Sequence, residues 1–208
     1  MHLIFIRHGQ SEGNVPGPKA GRLNPGLTPL GIRQANHAGE RIAKQQVNAL
    51  YCGPLRRGLH TAAEIFNASG VHPVLLPPLF EIGGNKKAWE KSKVEKWFPM
   101  VRTKLQLPAG QQDELETWAA AIERARRVVA WICGQYVERE DAWVYVVGHG
   151  RFNQVMTEIC LGMTPRRDAW LTCGNCAFHW LELRPGYVRA HKLNDESHIP
   201  TDERSGSV

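Results

Sequence analysis

Two histidines, each next to glycine and behind an apolar run, are the residues of this chain best suited to chemistry. His8 in the motif RHG follows the run Leu3–Ile6, and His149 in the motif GHG follows the run Trp143–Val147. The flanking glycines favour a backbone that faces a ligand over one that packs in a core. A neutral imidazole can attack phosphorus and form a phosphoramidate, so two imidazoles in one anion site would suit phosphoryl transfer.

The other polar groups that follow predicted strands are cations and one carboxylate. Arg7 precedes the first histidine, Arg56 and Arg57 follow the second strand, and Glu81 follows the third. Arginine forks match phosphate oxygens, and a lone carboxyl can protonate a leaving alcohol and later take a proton from water. The set contains no HExxH, aspartate cluster or nucleotide-binding GxxxxGK[ST], so we expect neither a metal nor a cofactor.

The elements that must position these groups alternate along the chain. Short apolar runs predict buried strands at Leu3–Ile6, Ala49–Cys52, Val74–Leu76 and Trp143–Val147. Apolar periodicity predicts helices at Gly31–Gln46, Arg56–Ala68, Glu114–Glu138 and Phe152–Leu161. A hairpin is predicted for Phe178–Leu183 and Tyr187–Leu193. This alternation indicates an α/β three-layer sandwich, a mostly parallel sheet flanked by helices. Ligands of such sheets bind at the carboxyl ends of the strands, where the polar groups would converge.

Length and charge suggest how the chain is organised. Its 208 residues suit one domain over residues 1–200, and the polar residues 201–208 are expected to be disordered. Of the net charge of +6, the segment Asn85–Lys104 carries +5, from seven Lys and Arg against two Glu. A basic insert at about 83–110 suits a lid over an anionic substrate, and a solvated basic helix is as good an interpretation. A nucleic-acid role is disfavoured because no recognisable binding module accompanies the charge.

Composition points to a cytoplasmic protein without a membrane partner. No apolar stretch reaches the roughly 20 residues that cross a bilayer, and the N-terminal run is too short for a signal peptide. Five cysteines fit a reducing compartment. Cys173 and Cys176 form a CxxC, but a predicted strand follows them where a redox helix or metal-ligand spacing would be needed.

Five motifs, in order along most of the chain, resemble those of the histidine phosphatase superfamily, the phosphoglycerate-mutase-like fold. They are RHGQSEGN at 7–14, LTPLGIRQA at 27–35, GPLRRGLHTA at 53–62, LFE at 79–81 and GHG at 148–150. Asn175 and the segment LNDESH at 193–198 also look familial. The spacing to Thr61 favours Arg57 over Arg56 as the motif's arginine.

The resemblance implies a role for each matching residue. His8 would be the phosphorylated nucleophile, and Glu81 would be the general acid and then the base. Phosphate binding would fall to Arg7, Asn14, Arg57, His149 and the Gly150 backbone amide. Of these phosphate ligands, Arg7, Arg57 and His149 would also stabilise the transition state.

The chain departs from the family pattern in three places. Gly53 stands where serine is usual, and His60 where glutamine is usual. After Glu81, the residues 82–85 intervene before Trp89 and Glu90, so Glu90 is an alternative proton donor.

These features predict a metal-independent phosphatase that hydrolyses a small phosphomonoester through a phosphohistidine on His8. A cofactor-dependent phosphoglycerate mutase is less favoured because the segment after Glu81 lacks the R/H-Y-G pattern of those relatives. A catalytically weak protein that only binds phosphate ligands is the third interpretation. The expected partner is a small phosphorylated metabolite; the sequence leaves its identity and the oligomeric state open.

Overall fold

The computed structural model describes residues 1–16, 24–83, 88–103 and 116–206. In these ranges it contains one sheet of six strands in the order β3-β2-β4-β1-β5-β6. The strands are β1 His2–Arg7, β2 Ala49–Cys52, β3 Val74–Leu75, β4 Trp143–Gly148, β5 Phe178–Arg184 and β6 Tyr187–Asp195. The first four in sheet order run parallel, whereas β5 and β6 run antiparallel to their neighbours. The predicted mostly parallel sheet is confirmed.

Five α-helices cover the two faces of the sheet within the described ranges. They are α1 Pro29–Ile42, α2 Arg56–Ser69, α3 Lys91–Trp97, α4 Trp118–Tyr136 and α5 Gly150–Cys160. Local capping explains where they begin and end. The Thr28 side chain accepts a hydrogen bond from the Gly31 amide and so caps α1. Gly70 ends α2 with φ of +74°, in the left-handed conformation that glycine adopts without strain.

Alternation along the strands creates two apolar layers. Ile4 and Ile6 of β1 point to the layer that contains α1 and α2. Leu3 and Phe5 point to the layer that contains α4 and α5. Both faces of β1 are therefore buried, as is typical of a strand in a three-layer sandwich. The predicted fold class is confirmed.

The end of the chain does not match the prediction of a disordered tail. Thr201–Glu203 form a short 3₁₀ helix, and the residues up to 206 are in contact with the domain. Gln34 is fully buried, and its side-chain amide donates to the Glu203 carbonyl (2.7 Å) and to Ser205 Oγ (2.9 Å). A buried amide needs such acceptors, and this need orders a segment whose polar composition alone predicts disorder. Residues 207–208 lie outside the described ranges.

The basic segment contains helix α3, which is buried on one side and exposed to solvent on the other. Val94 of α3 is fully buried in the layer that contains α1 and α2, and Phe98 and Val101 join it there. Lys91, Lys93, Lys96 and Arg102 are exposed. The lysines at 86, 87 and 104 lie outside the described residues.

Within the described ranges, no helix combines the length and the apolar character needed to cross a bilayer. The assignment of residues 1–200 to one domain stays a prediction.

Candidate active site

His8 lies at the carboxyl end of β1 with its ring almost fully buried, at 3% exposure. Its Nδ1 lies 2.8 Å from the Gly9 carbonyl oxygen, so Nδ1 carries the proton and donates it. Nε2 then holds a lone pair and accepts from Arg57 Nε at 3.0 Å. Burial, followed by the charges of Arg57 and Arg7, lowers the pKa of His8 well below its usual value. The ring is therefore neutral and nucleophilic at Nε2.

The main chain around His8 is held by three separate elements. The His8 amide donates to the Gly148 carbonyl at 3.0 Å, across the β1–β4 boundary. The Asn175 side-chain amide donates to the His8 carbonyl at 2.9 Å. The Gly9 amide donates to Thr61 Oγ1 of α2 at 3.0 Å. The imidazole thus projects from a backbone that is fixed on several sides, which limits loss of alignment during reaction.

Close backbone contacts explain several glycines of the motifs. A Cβ on Gly9 would lie 2.5 Å from the Gly31 carbonyl oxygen, so the RHG loop contacts the start of α1. A Cβ on Gly53 would lie 1.6 Å from the Leu79 carbonyl oxygen. The glycine that replaces the family's usual serine at 53 therefore lets the chain before Glu81 approach β2. A serine there would force that loop outward.

His149 is the N-cap residue of α5, and its side chain is fully buried. Its ring centroid lies 5.2 Å from that of His8, with the planes inclined by 59°. Within the described residues, neither ring nitrogen has a hydrogen-bond partner. Burial, with Arg57 and His8 adding to it, lowers the pKa of His149 well below its usual value. A buried imidazole beside His8 with both nitrogens unpaired is suited to a ligand oxygen.

Two arginines flank the imidazole pair. Arg57 bonds His8 directly, and burial lowers the pKa of its guanidinium. Arg7 donates from Nη1 to the carbonyl oxygens of Cys173 (2.6 Å) and Gly206, while its buried Nε has no partner among the described residues. Arg56 is exposed and does not line the cavity described below. The placement agrees with the choice of Arg57 over Arg56.

Glu81 lies at the N-terminus of α5. Its Oε1 accepts from the amides of Ile82 (2.9 Å) and Phe152 (3.0 Å), and its Oε2 accepts from the Arg151 amide at 3.3 Å. Positive partial charge at a helix N-terminus stabilises a carboxylate. Glu90, the alternative proton donor, is the exposed N-cap residue of α3 and does not line the cavity. Of the two candidates, only Glu81 lies beside the histidines.

Arg124 of α4 positions the loop that carries Glu81, and it was not predicted from the sequence. Its Nη1 donates to the carbonyls of Pro78 (2.6 Å) and Phe80 (3.0 Å), and its guanidinium forms a two-point ion pair with Glu116 at 2.6 Å for each bond. The rings of Phe80 and Phe152 lie 3.7 and 3.8 Å from its Cζ. An arginine inside an amphipathic helix gives no local signal that it is buried, so only the contacts reveal this role.

The side chains surround an open cavity of about 720 Å³. Six residues predicted for the site line it: Arg7, His8, Asn14, Arg57, Glu81 and Gly150. His149 is fully buried beside His8 and is not among the residues that line the cavity. Of the residues described in the basic segment, none lines the cavity, and the lid stays a prediction.

Asn14 lies at the exposed rim, where its Oδ1 accepts from the Ser11 amide (3.0 Å) and hydroxyl (2.8 Å) and closes the turn after the RHG motif.

Sequence reasoning missed several other residues that line the cavity. These residues are Arg151, Arg167, Trp170, Leu171 and Thr172, together with Trp118 of α4. Trp118 is only partly buried: it packs on the core and also borders the cavity. A loop without regular structure brings residues 166–172 to the site, so no periodicity could have indicated them.

The family model of the histidine phosphatase superfamily (branch 1) matches residues 3–196. The chain belongs to this superfamily. Phosphoglycerate mutases are also among its relatives. In the described ranges, no group of three or more His, Cys, Asp or Glu side chains is arranged to hold a metal ion.

Individual relatives agree with this assignment. The chain is 27% identical over 195 residues to a Glucosyl-3-phosphoglycerate phosphatase of Mycolicibacterium vanbaalenii, covering 90% of this chain and 85% of the relative. It is 32% identical over 82 residues to Phosphoserine phosphatase 1 of Hydrogenobacter thermophilus, covering 39% of each. The match to Putative phosphoserine phosphatase 2 of the same organism spans only 36% of the length of that relative. The ecdysone phosphate phosphatase structure from Bombix mori, in complex with tungstate, shares the fold: TM-score 0.74, 19% identity, 94% of each chain.

These comparisons confirm the family predicted from the sequence.

Proposed function

We propose that this protein is a metal-independent phosphatase that hydrolyses a small phosphomonoester through a phosphohistidine intermediate on His8. The observation that carries the proposal is the state of that ring. Nε2 is unprotonated, buried, 3.0 Å from Arg57 Nε and beside His149, whose two nitrogens lack partners among the described residues. This arrangement provides a nucleophile with donors already in place for phosphate oxygens.

In the first step, Arg57 Nε gives up its hydrogen bond to His8 Nε2 and turns to the phosphate oxygens. The freed Nε2 lone pair forms a bond to phosphorus while the bond to the ester oxygen breaks. The guanidinium groups of Arg7 and Arg57 stabilise the negative charge on the phosphoryl oxygens, which is the main requirement of this reaction. His149 binds one of these oxygens in the buried space beside His8. The departing alkoxide takes a proton from the Glu81 carboxyl group, leaving an alcohol and a carboxylate.

Glu81 has one oxygen better suited than the other to carry that proton. Oε1 accepts two amide bonds of 2.9 and 3.0 Å, whereas Oε2 accepts a single longer one of 3.3 Å from Arg151. Protonation at Oε2 therefore costs less hydrogen bonding. In the second step, the Glu81 carboxylate takes a proton from water, the water oxygen attacks phosphorus, and Nε2 of His8 leaves. Inorganic phosphate is released.

The test is replacement of the nucleophile. The His8→Ala variant is expected to lose hydrolysis of 4-nitrophenyl phosphate and any acid-labile phosphate on the protein, while the control His72→Ala, an exposed histidine, keeps both. Turnover by His8→Ala at the wild-type rate would disprove the mechanism. Binding of phosphate ligands by the wild type without detectable phosphohistidine would favour the weak binding protein instead.

A mutase remains the second candidate because phosphoglycerate mutases are among the relatives. A coupled assay for 2-phosphoglycerate formation from 3-phosphoglycerate, with and without 2,3-bisphosphoglycerate, separates the two. A phosphatase releases inorganic phosphate in both conditions, whereas bisphosphoglycerate-dependent isomerisation would identify a mutase.

A further inference from the structure

The part of the cavity wall formed by α4, α5 and the loop at 166–172 carries two tryptophans with an arginine between them. The Cζ of Arg151 lies 4.9 Å from the ring centroid of Trp118 and 3.9 Å from that of Trp170. Arg151 also donates from Nη1 to the Ala169 carbonyl (2.6 Å) and from Nη2 to the Arg167 carbonyl. Its terminal donors are thus used to hold the loop at 166–172 against α5, and the loop presents its other side chains to the cavity.

Arg167 of this loop has a guanidinium group that is available to bind an anionic ligand. It is exposed and lines the cavity. The adjacent carboxylate of Asp168 is bound by Arg166, whose Nη2 lies 2.7 Å from Oδ2. In the part of the chain that the structure describes, no carboxylate pairs with the Arg167 guanidinium, and the fork is free to accept an anion.

The charge of the cavity exceeds what a single phosphate requires. Four arginines and one glutamate among the described lining residues give a net charge of +3. Arg7 and Arg57 adjoin His8 and suffice for the dianion of one phosphomonoester. Arg151 and Arg167, the other two arginines, lie on the part of the wall that includes Trp170, a residue that is 69% exposed.

We infer that Arg167 and Trp170 form a second subsite that binds a distal anionic group of the substrate, a carboxylate or a second phosphate. The inference rests on the proposed function and names its substrate class: a phosphomonoester whose alcohol carries a further negative charge. Arg167 binds the distal group, the body of the alcohol lies on the open face of Trp170, and Arg151 acts as a positioning residue that fastens the loop.

The experiment uses aryl phosphates that differ only in their distal group. These are 4-carboxyphenyl phosphate, 4-phosphonophenyl phosphate and the neutral analogue 4-carbamoylphenyl phosphate. The wild-type protein is expected to prefer at least one anionic probe by roughly tenfold in kcat/KM, as for a hydrogen bond to a charged group near solvent. Which anionic probe is preferred shows whether the subsite binds a carboxylate or a phosphate group. The preference should weaken as salt is added, because exposed charges are screened.

Two variants that each remove one positive charge test whether contact or mere charge is responsible. Arg167→Gln is expected to remove the preference, so that the ratio of kcat/KM values approaches one. Arg126→Gln removes one charge from the exposed face of α4, at a side chain that does not line the cavity, and it should retain the preference. Equal loss in both variants, or a preference that survives Arg167→Gln, would overturn the subsite.

Binding measured without turnover separates this inference from the proposed function. Calorimetric titration of the His8→Ala variant with the same probes should show the anionic preference, and His8→Ala/Arg167→Gln should lack it. If no probe is hydrolysed by the wild type yet the binding preference appears, the phosphatase proposal fails and the subsite stands. Hydrolysis of all three probes with equal kcat/KM and equal affinity would overturn the subsite alone.

Discussion

Removing the C-terminal segment should impair catalysis although none of its side chains is proposed to touch substrate. Among the hydrogen bonds that deletion of residues 201–208 removes, five involve Gln34, Asn175 or Arg7: two from Gln34 to the segment, two between Asn175 and Ser205, and one from Arg7 to Gly206. Gln34 and Asn175 are fully buried in the intact protein. The deletion therefore leaves two buried amides with unmet donors or acceptors.

The magnitude follows from these contacts. At about 1 kcal/mol net for each hydrogen bond, the five contribute roughly 5 kcal/mol. Water can reach the groups once the segment is gone, so we expect a smaller loss, about 2–4 kcal/mol in the free energy of unfolding. Asn175 holds the His8 carbonyl, and Arg7 loses one of the two carbonyls that orient it. Misalignment of that kind lowers kcat/KM by roughly ten- to hundredfold.

The assay is hydrolysis of 4-nitrophenyl phosphate at a temperature where urea denaturation shows the variant to be folded. A point variant gives a more specific test, because Ser205→Ala removes only the hydroxyl that bonds Gln34 and Asn175. Its matched control is Ser92→Ala, at an exposed position of α3. The reasoning would be refuted by a folded deletion variant whose kcat/KM stays within about twofold of the wild type. The segment would then stabilise the fold without aligning the site.

Three other predictions concern the site. Glu81→Gln should slow hydrolysis of alkyl phosphates far more than that of 4-nitrophenyl phosphate, whose leaving group needs no proton; equal losses would argue against a proton donor. Because the pKa values of His8 and His149 are lowered, the unfolded chain takes up protons below about pH 6.5 that the native protein does not. Stability should therefore fall as the pH drops below 6.5, by up to about 1.4 kcal/mol per pH unit for each histidine, and a urea midpoint that is flat from pH 7.5 to 5.5 would contradict this. Arg124→Met should cost roughly 3–5 kcal/mol because it leaves Glu116 buried without its partner, and a midpoint near the wild-type value would exclude this role.

Much of the site was predictable because its residues follow strands. His8, Arg57, Glu81 and His149 each come after a strand of the parallel part of the sheet, and parallel strands bring their carboxyl ends to one edge. The motif spacing also distinguished Arg57 from Arg56, since only Arg57 lies beside His8. Local sequence indicates two features well: the apolar periodicity of the helices and strands, and the polar residues that interrupt it.

The errors and omissions share a physical cause. The segment 201–206 is polar, yet it is ordered because Gln34 and Asn175 need partners that lie far away in the chain. Arg124 occurs in a helix as any solvated arginine would, and only its contacts with the loop before Glu81 show that it is buried. Neither case leaves a periodic pattern in the residues around it.

By itself, the sequence determined the sheet, the family and the groups that we propose form and stabilise a phosphohistidine, because these depend on short motifs at strand ends. Only the tertiary structure decided which carboxylate lines the cavity with His8, how the end of the chain supports the site, and which residues form the rest of the cavity wall. That wall, with Arg167 and Trp170, is built by a loop whose position follows from hydrogen bonds to Arg151 rather than from its own composition. Reaction chemistry is thus encoded locally, whereas the inferred choice of substrate depends on long-range packing.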